Sequence, residues 1–193
     1  MAAPRILAGS AKGRRLRTPS RGTRPSPARL RAALFDSLAF TDRGRFLDLY
    51  AGSGAIGLEA ASRGWEAILV ERSPQATQLL RDNARTCGLR VQVVRGDALQ
   101  VAARLAGSVD VAFADPPFEH DLPGIFQALV DLDVVRPGGR YAFQHPSALA
   151  LALRRDGTLL PVDTRRYGSN ALSFVPARPG AGNHEPTPAR LVP

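Results

Sequence analysis

Between residues 46 and 144 the chain alternates short, continuously apolar segments with longer amphipathic ones, and few architectures accept that alternation. FLDLY (46–50), AILVE (67–71), VQVV (91–94), VDVAFA (109–114) and RYAFQ (140–144) have strand length and read as apolar on both faces, as strands covered from both sides must be. The stretches between them, near 54–63, 74–86, 98–105 and 122–132, carry helical spacing. Strand and helix in turn predict an α/β, Rossmann-like, doubly wound sheet, mostly parallel. Residues 158–175 add two strand-like pieces joined by a turn around RRYGSN. Ligands of such sheets sit outside the carboxyl ends of the strands. Asp48 in the first strand, Glu71 ending the second, Asp97 after the third and Asp115 ending the fourth therefore converge on one edge.

With 193 residues, 44% of them hydrophobic, the chain can bury one ordinary core. Residues 1–40 read as a basic hairpin and docking helix, 41–176 as the α/β domain, and the Pro/Gly-rich 177–193 as a disordered tail. In the first segment RILAGSAKGRRLR (5–17) has apolar positions on either side of a glycine-containing turn; Ser26-Pro27 resembles an N-cap with a first-turn proline, and Leu30, Leu34 and Leu38 recur at helical spacing. No run approaches the roughly 18 apolar residues that cross a bilayer, and no signal-peptide core opens the chain, so a soluble, cytoplasmic protein is expected; it is expected to be a monomer. The single Cys87 excludes an internal disulfide framework and, with three histidines, argues against a structural zinc site.

The net charge of +9 is unevenly placed. Residues 1–35 hold Arg5, Lys12, Arg14, Arg15, Arg17, Arg21, Arg24, Arg29 and Arg31 and no acid, while the basic and acidic residues of the remainder balance. A polyphosphate partner is the natural match for such a segment, against the plainer reading of a solvated basic arm.

AGSGAIG (51–57) contains GxGxxG between a strand and a helix, and Glu71 follows Gly52 by 19 positions at the end of the next strand. The pattern serves dinucleotides as well as S-adenosylmethionine. Asp48 leans towards the second: a carboxylate beside the loop repels a pyrophosphate and attracts an ammonium or sulfonium. Its plain alternative is a loop cap.

FADPPFEH (113–120) ends a strand with a carboxylate, two prolines and an aromatic ring. The exocyclic amine of a nucleobase is a poor nucleophile because its lone pair is delocalised into the ring. Two acceptors aimed at the amine hydrogens, the Asp115 carboxylate and the Pro116 carbonyl, favour the localised pair. Pro116 and Pro117 hold both stiffly, and Phe118 offers a face for an unpaired base. Charge is moved rather than created in such a transfer, so no metal is called for. In isolation the same run is an ordinary strand-ending turn.

DLYAGSGAIGLEAASRG, VER, GDAL and ADPPF resemble the cofactor and catalytic motifs of class I S-adenosylmethionine-dependent methyltransferases that act on exocyclic amines. RILAGSAKGRRL, TRPSPARLRAALFDSL and YGSNALSF resemble more narrowly the flanking motifs of the bacterial 16S ribosomal RNA guanine-N2 methyltransferase family, over about residues 5–175. The resemblance implies a seven-stranded sheet with its last strand antiparallel and methylation of one guanine, guanine 966, in the RNA of the small ribosomal subunit or its assembly intermediate. It implies Asp48, Ala51, Gly52 and Gly54 around the methionine part of the cofactor, Glu71 with Arg72 at the ribose, and Asp97 with Ala98 near adenine. Asp115, Pro116, Pro117 and Phe118 fall at the target amine, and the helix from 24 to 35 closes over the cofactor, carrying Arg31 towards the site. Arg5, Lys12, Arg14, Arg15 and Arg24, with His145 and Tyr167, fall to the RNA. The chain departs from the family at Pro27-Ala28 in place of Thr-Asp, at Ala32 in place of a glutamate, at Gln144-His145 in place of Glu-His, and at YGSN (167–170) in place of YGDT.

Other functions predict other things. DPPF alone serves an adenine N6 in DNA equally well. A binding module on an inactive methyltransferase fold has no physical reason to keep Asp115, Pro116 and Phe118. A dinucleotide oxidoreductase leaves DPPF without a task.

Overall fold

The structure is a computed structural model and describes residues 3–18 and 27–180. Its first half runs α1 (Ala28–Ser37), β1 (Arg45–Asp48), α2 (Gly57–Ser62), β2 (Glu66–Glu71), α3 (Pro74–Cys87) and β3 (Gln92–Arg95). There follow α4 (Ala98–Ala103), β4 (Val109–Ala114), α5 (Leu122–Asp131), β5 (Val135–Pro146), β6 (Arg154–Arg155), β7 (Thr158–Leu159), β8 (Asp163–Tyr167) and β9 (Asn170–Pro176). Seven strands form one sheet in the order β3-β2-β1-β4-β5-β9-β8, and β6 and β7 pair separately. β1 to β5 are parallel, whereas β9 runs antiparallel to both β5 and β8. The antiparallel strand is thus last in the chain but sits one place in from the edge.

Side-chain alternation along the strands sends apolar residues to both faces. On one face Leu47, Ile68, Val70 and Ala112 meet Val101 and Ala102 of α4 and Phe126 and Leu129 of α5. On the other, Phe46, Val111 and Phe113 pack with Leu30, Leu34 and Phe35 of α1, and Leu69 packs with Leu58 of α2 and Leu80 and Ala84 of α3. Trp65 is buried, edge to face with Phe46 at 5.8 Å between ring centroids.

Local signals explain where helices start and stop. α3 begins on Ser73, whose hydroxyl accepts from the Ala76 amide with Pro74 in the first turn, and ends where Gly88 takes φ 69°. α1 differs from expectation: Pro27 is itself the N-cap and no side chain caps the helix, while Ser26 lies outside the described residues. β5 begins at Val135, five residues before the expected 140, because the turn-forming Pro137-Gly138-Gly139 is carried within the strand where the β4–β5 register shifts. A Cβ on Gly139 would collide with the Asp110 carbonyl, so that irregularity requires glycine.

The N-terminal segment is the expected hairpin, closed by an antiparallel bridge between Arg5 and Arg15. It buries Ile6, Ala11 and Leu16 against α2 and α3. Glu59 of α2, fully buried, accepts from the Leu7 and Ala8 amides at 2.6 and 3.0 Å, and Ser62 accepts from the Ala11 amide at 2.9 Å. Among the described residues no helix is long and apolar enough to cross a membrane. Of the expected tail, 181–193 lies outside the described residues.

Candidate active site

The strand order turns back between β1 and β4, and there, at the carboxyl edge, the structure opens a cleft of about 740 Å³. One wall is the loop between β1 and α2. Gly52 and Gly54 adopt φ of 54° and 88°, a region that L side chains rarely enter, and a Cβ on Gly54 would also run into Leu80. Asp48, Ala51 and Gly52 of the predicted cofactor set line this wall, with Tyr50, Ser53, Ala55 and Ile56 beside them.

Asp48 is buried, and its two oxygens differ. Oδ2 accepts from the Gly57 amide at 2.9 Å, so the cap reading holds for that atom; Oδ1 is buried with no hydrogen-bond partner. Burial above all pushes this carboxyl up to about 7, against the Gly57 and Tyr50 backbone amides, and the charges of Asp115 and Glu71 push the same way as burial. An orphaned carboxylate oxygen on a cleft wall is stabilised by a cationic ligand group. S-adenosylmethionine, with its ammonium, fits that requirement.

Glu71 ends β2 but stands behind the loop rather than on the cleft wall: its oxygens accept from the Gly52 amide at 2.9 Å and the Ser73 amide at 2.7 Å. Arg72 beside it is exposed. Asp97 caps α4 through the Leu99 and Gln100 amides, and Ala98 is buried; neither lines the cleft. Tyr50 stands near Asp97, and burial together with the Asp97 charge pushes its hydroxyl up to about 12. Tyr50, in the turn that follows β1, escaped the sequence reading.

The opposite wall is Asp115 to Glu119. The register pairs Asp48 with Phe113, so Asp115 lies just beyond the level of Asp48 on the neighbouring strand. The Phe118 ring is 42% exposed. Gln144 of β5, the β8–β9 turn from Tyr167 to Asn170, and Thr18 and Pro27 from the N-terminal segment complete the rim.

Two further predicted contacts are not where the sequence put them. His145 does not face the cleft. It lies within β5, and since neighbouring residues of a strand point to opposite faces, Gln144 takes the cleft and His145 the interior. Its Nδ1 donates to the Pro146 carbonyl at 2.9 Å and its Nε2 accepts from Ser173 at 2.7 Å, while burial lowers its pKa. Arg31 is likewise buried away from the cleft, donating to the Arg5 carbonyl at 2.9 Å and lying 4.0 Å from Glu59. Burial lowers its pKa despite that neighbour. Arg31 therefore joins helix to hairpin. Arg5, Lys12, Arg14 and Arg15 are all exposed on the hairpin, and Arg24 lies outside the described residues.

A family model described as "Conserved hypothetical protein 95" matches residues 4–176. The chain belongs to that family. The match to Conserved hypothetical protein 95 spans nearly the same residues as the motif resemblance. A Bacillus subtilis protein named "Putative rRNA methyltransferase YlbH" is 32% identical over 183 residues, 90% of this chain and 99% of that one. "Ribosomal RNA small subunit methyltransferase D" of Escherichia coli K12 is 39% identical over 123 residues, 61% of this chain and 62% of that one. The solved structure of a hypothetical protein from Thermus thermophilus superposes with a TM-score of 0.80 at 46% identity, covering 90% of this chain and 99% of that one. The fold of this Conserved hypothetical protein 95 member is that of the class I methyltransferases.

Proposed function

We propose that this chain is an S-adenosylmethionine-dependent ribosomal RNA methyltransferase acting on the exocyclic N2 of a guanine in 16S RNA, guanine 966 by family resemblance. The observation that carries the reading is one cleft with two kinds of wall: the orphaned Asp48 oxygen beside a glycine loop, and the Asp115-Pro116-Pro117-Phe118 run facing it. The names of the relatives support the ribosomal substrate.

Bound there, S-adenosylmethionine supplies an electrophilic methyl group on a sulfonium. The chain's part is to hold and to orient. Asp48 Oδ1 would receive the ammonium, the Gly52 and Ser53 backbone would border the bound group, and Glu71 would hold the loop from behind through the Gly52 and Ser73 amides. On the other wall the Asp115 carboxylate and the Pro116 carbonyl accept the amine hydrogens, and Asp115 takes the proton that the methylated nitrogen gives up. Phe118 and Tyr167 offer aromatic surface to the base. Alignment of amine and methyl supplies most of the acceleration, and no step calls on a metal. Arg5, Lys12, Arg14 and Arg15 bind phosphates of the small subunit or of its assembly intermediate.

Transfer of labelled methyl to purified small subunits and to naked 16S RNA, with the labelled nucleoside identified, tests this. Label in N2-methylguanosine is the expected result. Label in another nucleoside, or none despite cofactor binding, overturns it.

A further inference from the structure

The hairpin that carries the exposed cations is attached to the rest of the molecule in an unusual way. It rests on the glycine-loop half of the sheet, through Glu59 and Ser62 of α2 and through one buried amide, Asn83 of α3. Asn83 Nδ2 donates to the Arg17 carbonyl at 2.8 Å and to the Ser53 carbonyl at 2.9 Å, and its Oδ1 accepts from the Arg17 amide at 2.9 Å. The partners fix the orientation of the amide: two carbonyls demand the nitrogen and one N–H demands the oxygen. Asn83 is 2% exposed, so losing any of these bonds leaves a buried polar group unpaired.

What it joins matters more than its burial. Ser53 stands between Gly52 and Gly54 and lines the cleft; Arg17 adjoins Thr18, which lines the cleft as well. Glu59 and Ser62 fasten the hairpin to the body of α2, whereas Asn83 reaches a carbonyl of the loop itself. A ligand that fixes the backbone at Ser53 fixes the amide, and through it the backbone at Arg17 where the chain leaves the hairpin. Ordering contributed by one ligand is then ordering the other no longer has to supply.

We propose that Asn83 is a positioning residue that couples RNA occupancy of the basic hairpin to cofactor occupancy of the glycine loop, each raising the affinity of the other. This rests on the function proposed above.

The test measures the affinity of the full chain for S-adenosylhomocysteine by calorimetry, with and without a saturating 16S RNA fragment. In the wild type the fragment raises the affinity about fivefold or more. In Asn83→Ala the ratio falls to about one. Asn83→Asp keeps the size and the acceptor for the Arg17 amide but trades the two-proton nitrogen for an oxygen, so the Arg17 and Ser53 carbonyls can no longer both be bonded; its ratio also falls to about one, and it decides the matter if the alanine variant does not fold. A ratio of one in the wild type, or an undiminished ratio in a folded variant, overturns the proposal. Methyl transfer to the guanine with a ratio of one sinks the coupling alone. A coupled pair of sites without methyl transfer sinks the function alone.

Discussion

Asp48 and Asp115 face one cleft from neighbouring parallel strands, and the Asp115 charge adds to the burial that holds the Asp48 carboxyl up at about 7. Asp48 therefore changes its ionisation near neutrality. An ammonium prefers the ionised form, so S-adenosylhomocysteine should bind more tightly as pH rises towards 7, by up to about tenfold per pH unit, and level off above it. Calorimetry across that range reads the slope. A flat wild-type profile, or one that Asp48→Asn leaves unchanged, removes Asp48 from the ammonium site.

Stability depends on the same group with a definite sign. The folded value lies above the ordinary 3.8, so the contribution of Asp48 to stability is fully present below about 3.8 and is lost as pH rises through about 7. Asp48→Asn is neutral throughout. Its melting temperature relative to wild type should climb by several degrees between about pH 4 and pH 8. A constant difference would mean that Asp48 does not titrate in this range.

Asp115→Ala should lower turnover by at least about a hundredfold while cofactor affinity changes little, because the residue serves the amine and not the cofactor. Single-turnover methyl transfer paired with calorimetry separates the two. Loss of cofactor binding would mean that Asp115 belongs to the other wall's task.

Replacing Arg14 and Arg15 by alanine should weaken RNA binding and lower its salt dependence by about one unit of slope per lost phosphate contact. Titrations at several salt concentrations give that slope directly. An unchanged slope takes both side chains out of the interface.

Gly54→Ala should destabilise the fold by about 1–3 kcal/mol, since it meets both a φ of 88° and the Leu80 side chain. Denaturant midpoints measure it. A neutral result would show that the loop can relax.

The strands and the site edge were legible because parallel strands buried on both faces are written as apolar runs, and because carboxylates at their ends have no other easy place. VDVAFA was read to the residue. The failures are of another kind. The edge rule locates the end of a strand but not the face on which a side chain falls, and His145, next to a cleft residue, falls inward. Arg31 looks on paper like a helix cation free to reach a ligand, yet its partners are Arg5 and Glu59, far away in the chain. The short β6–β7 pair was invisible, since strands of two residues each have no periodicity. Asn83 drew no attention because a lone amide in a helix looks like a surface residue.

The clamp on the hairpin bears on how separable the basic segment is. Glu59 is a fully buried carboxylate that accepts hydrogen bonds from Leu7 and Ala8 of the hairpin as well as from Arg63. Cutting the chain after residue 18 would leave that carboxylate facing a void without those backbone donors, and would bare the apolar surface beneath Ile6, Ala11 and Leu16. The hairpin is therefore no detachable affinity tag. Grafting it onto another enzyme, or trimming it from this one, would transplant or delete part of a core.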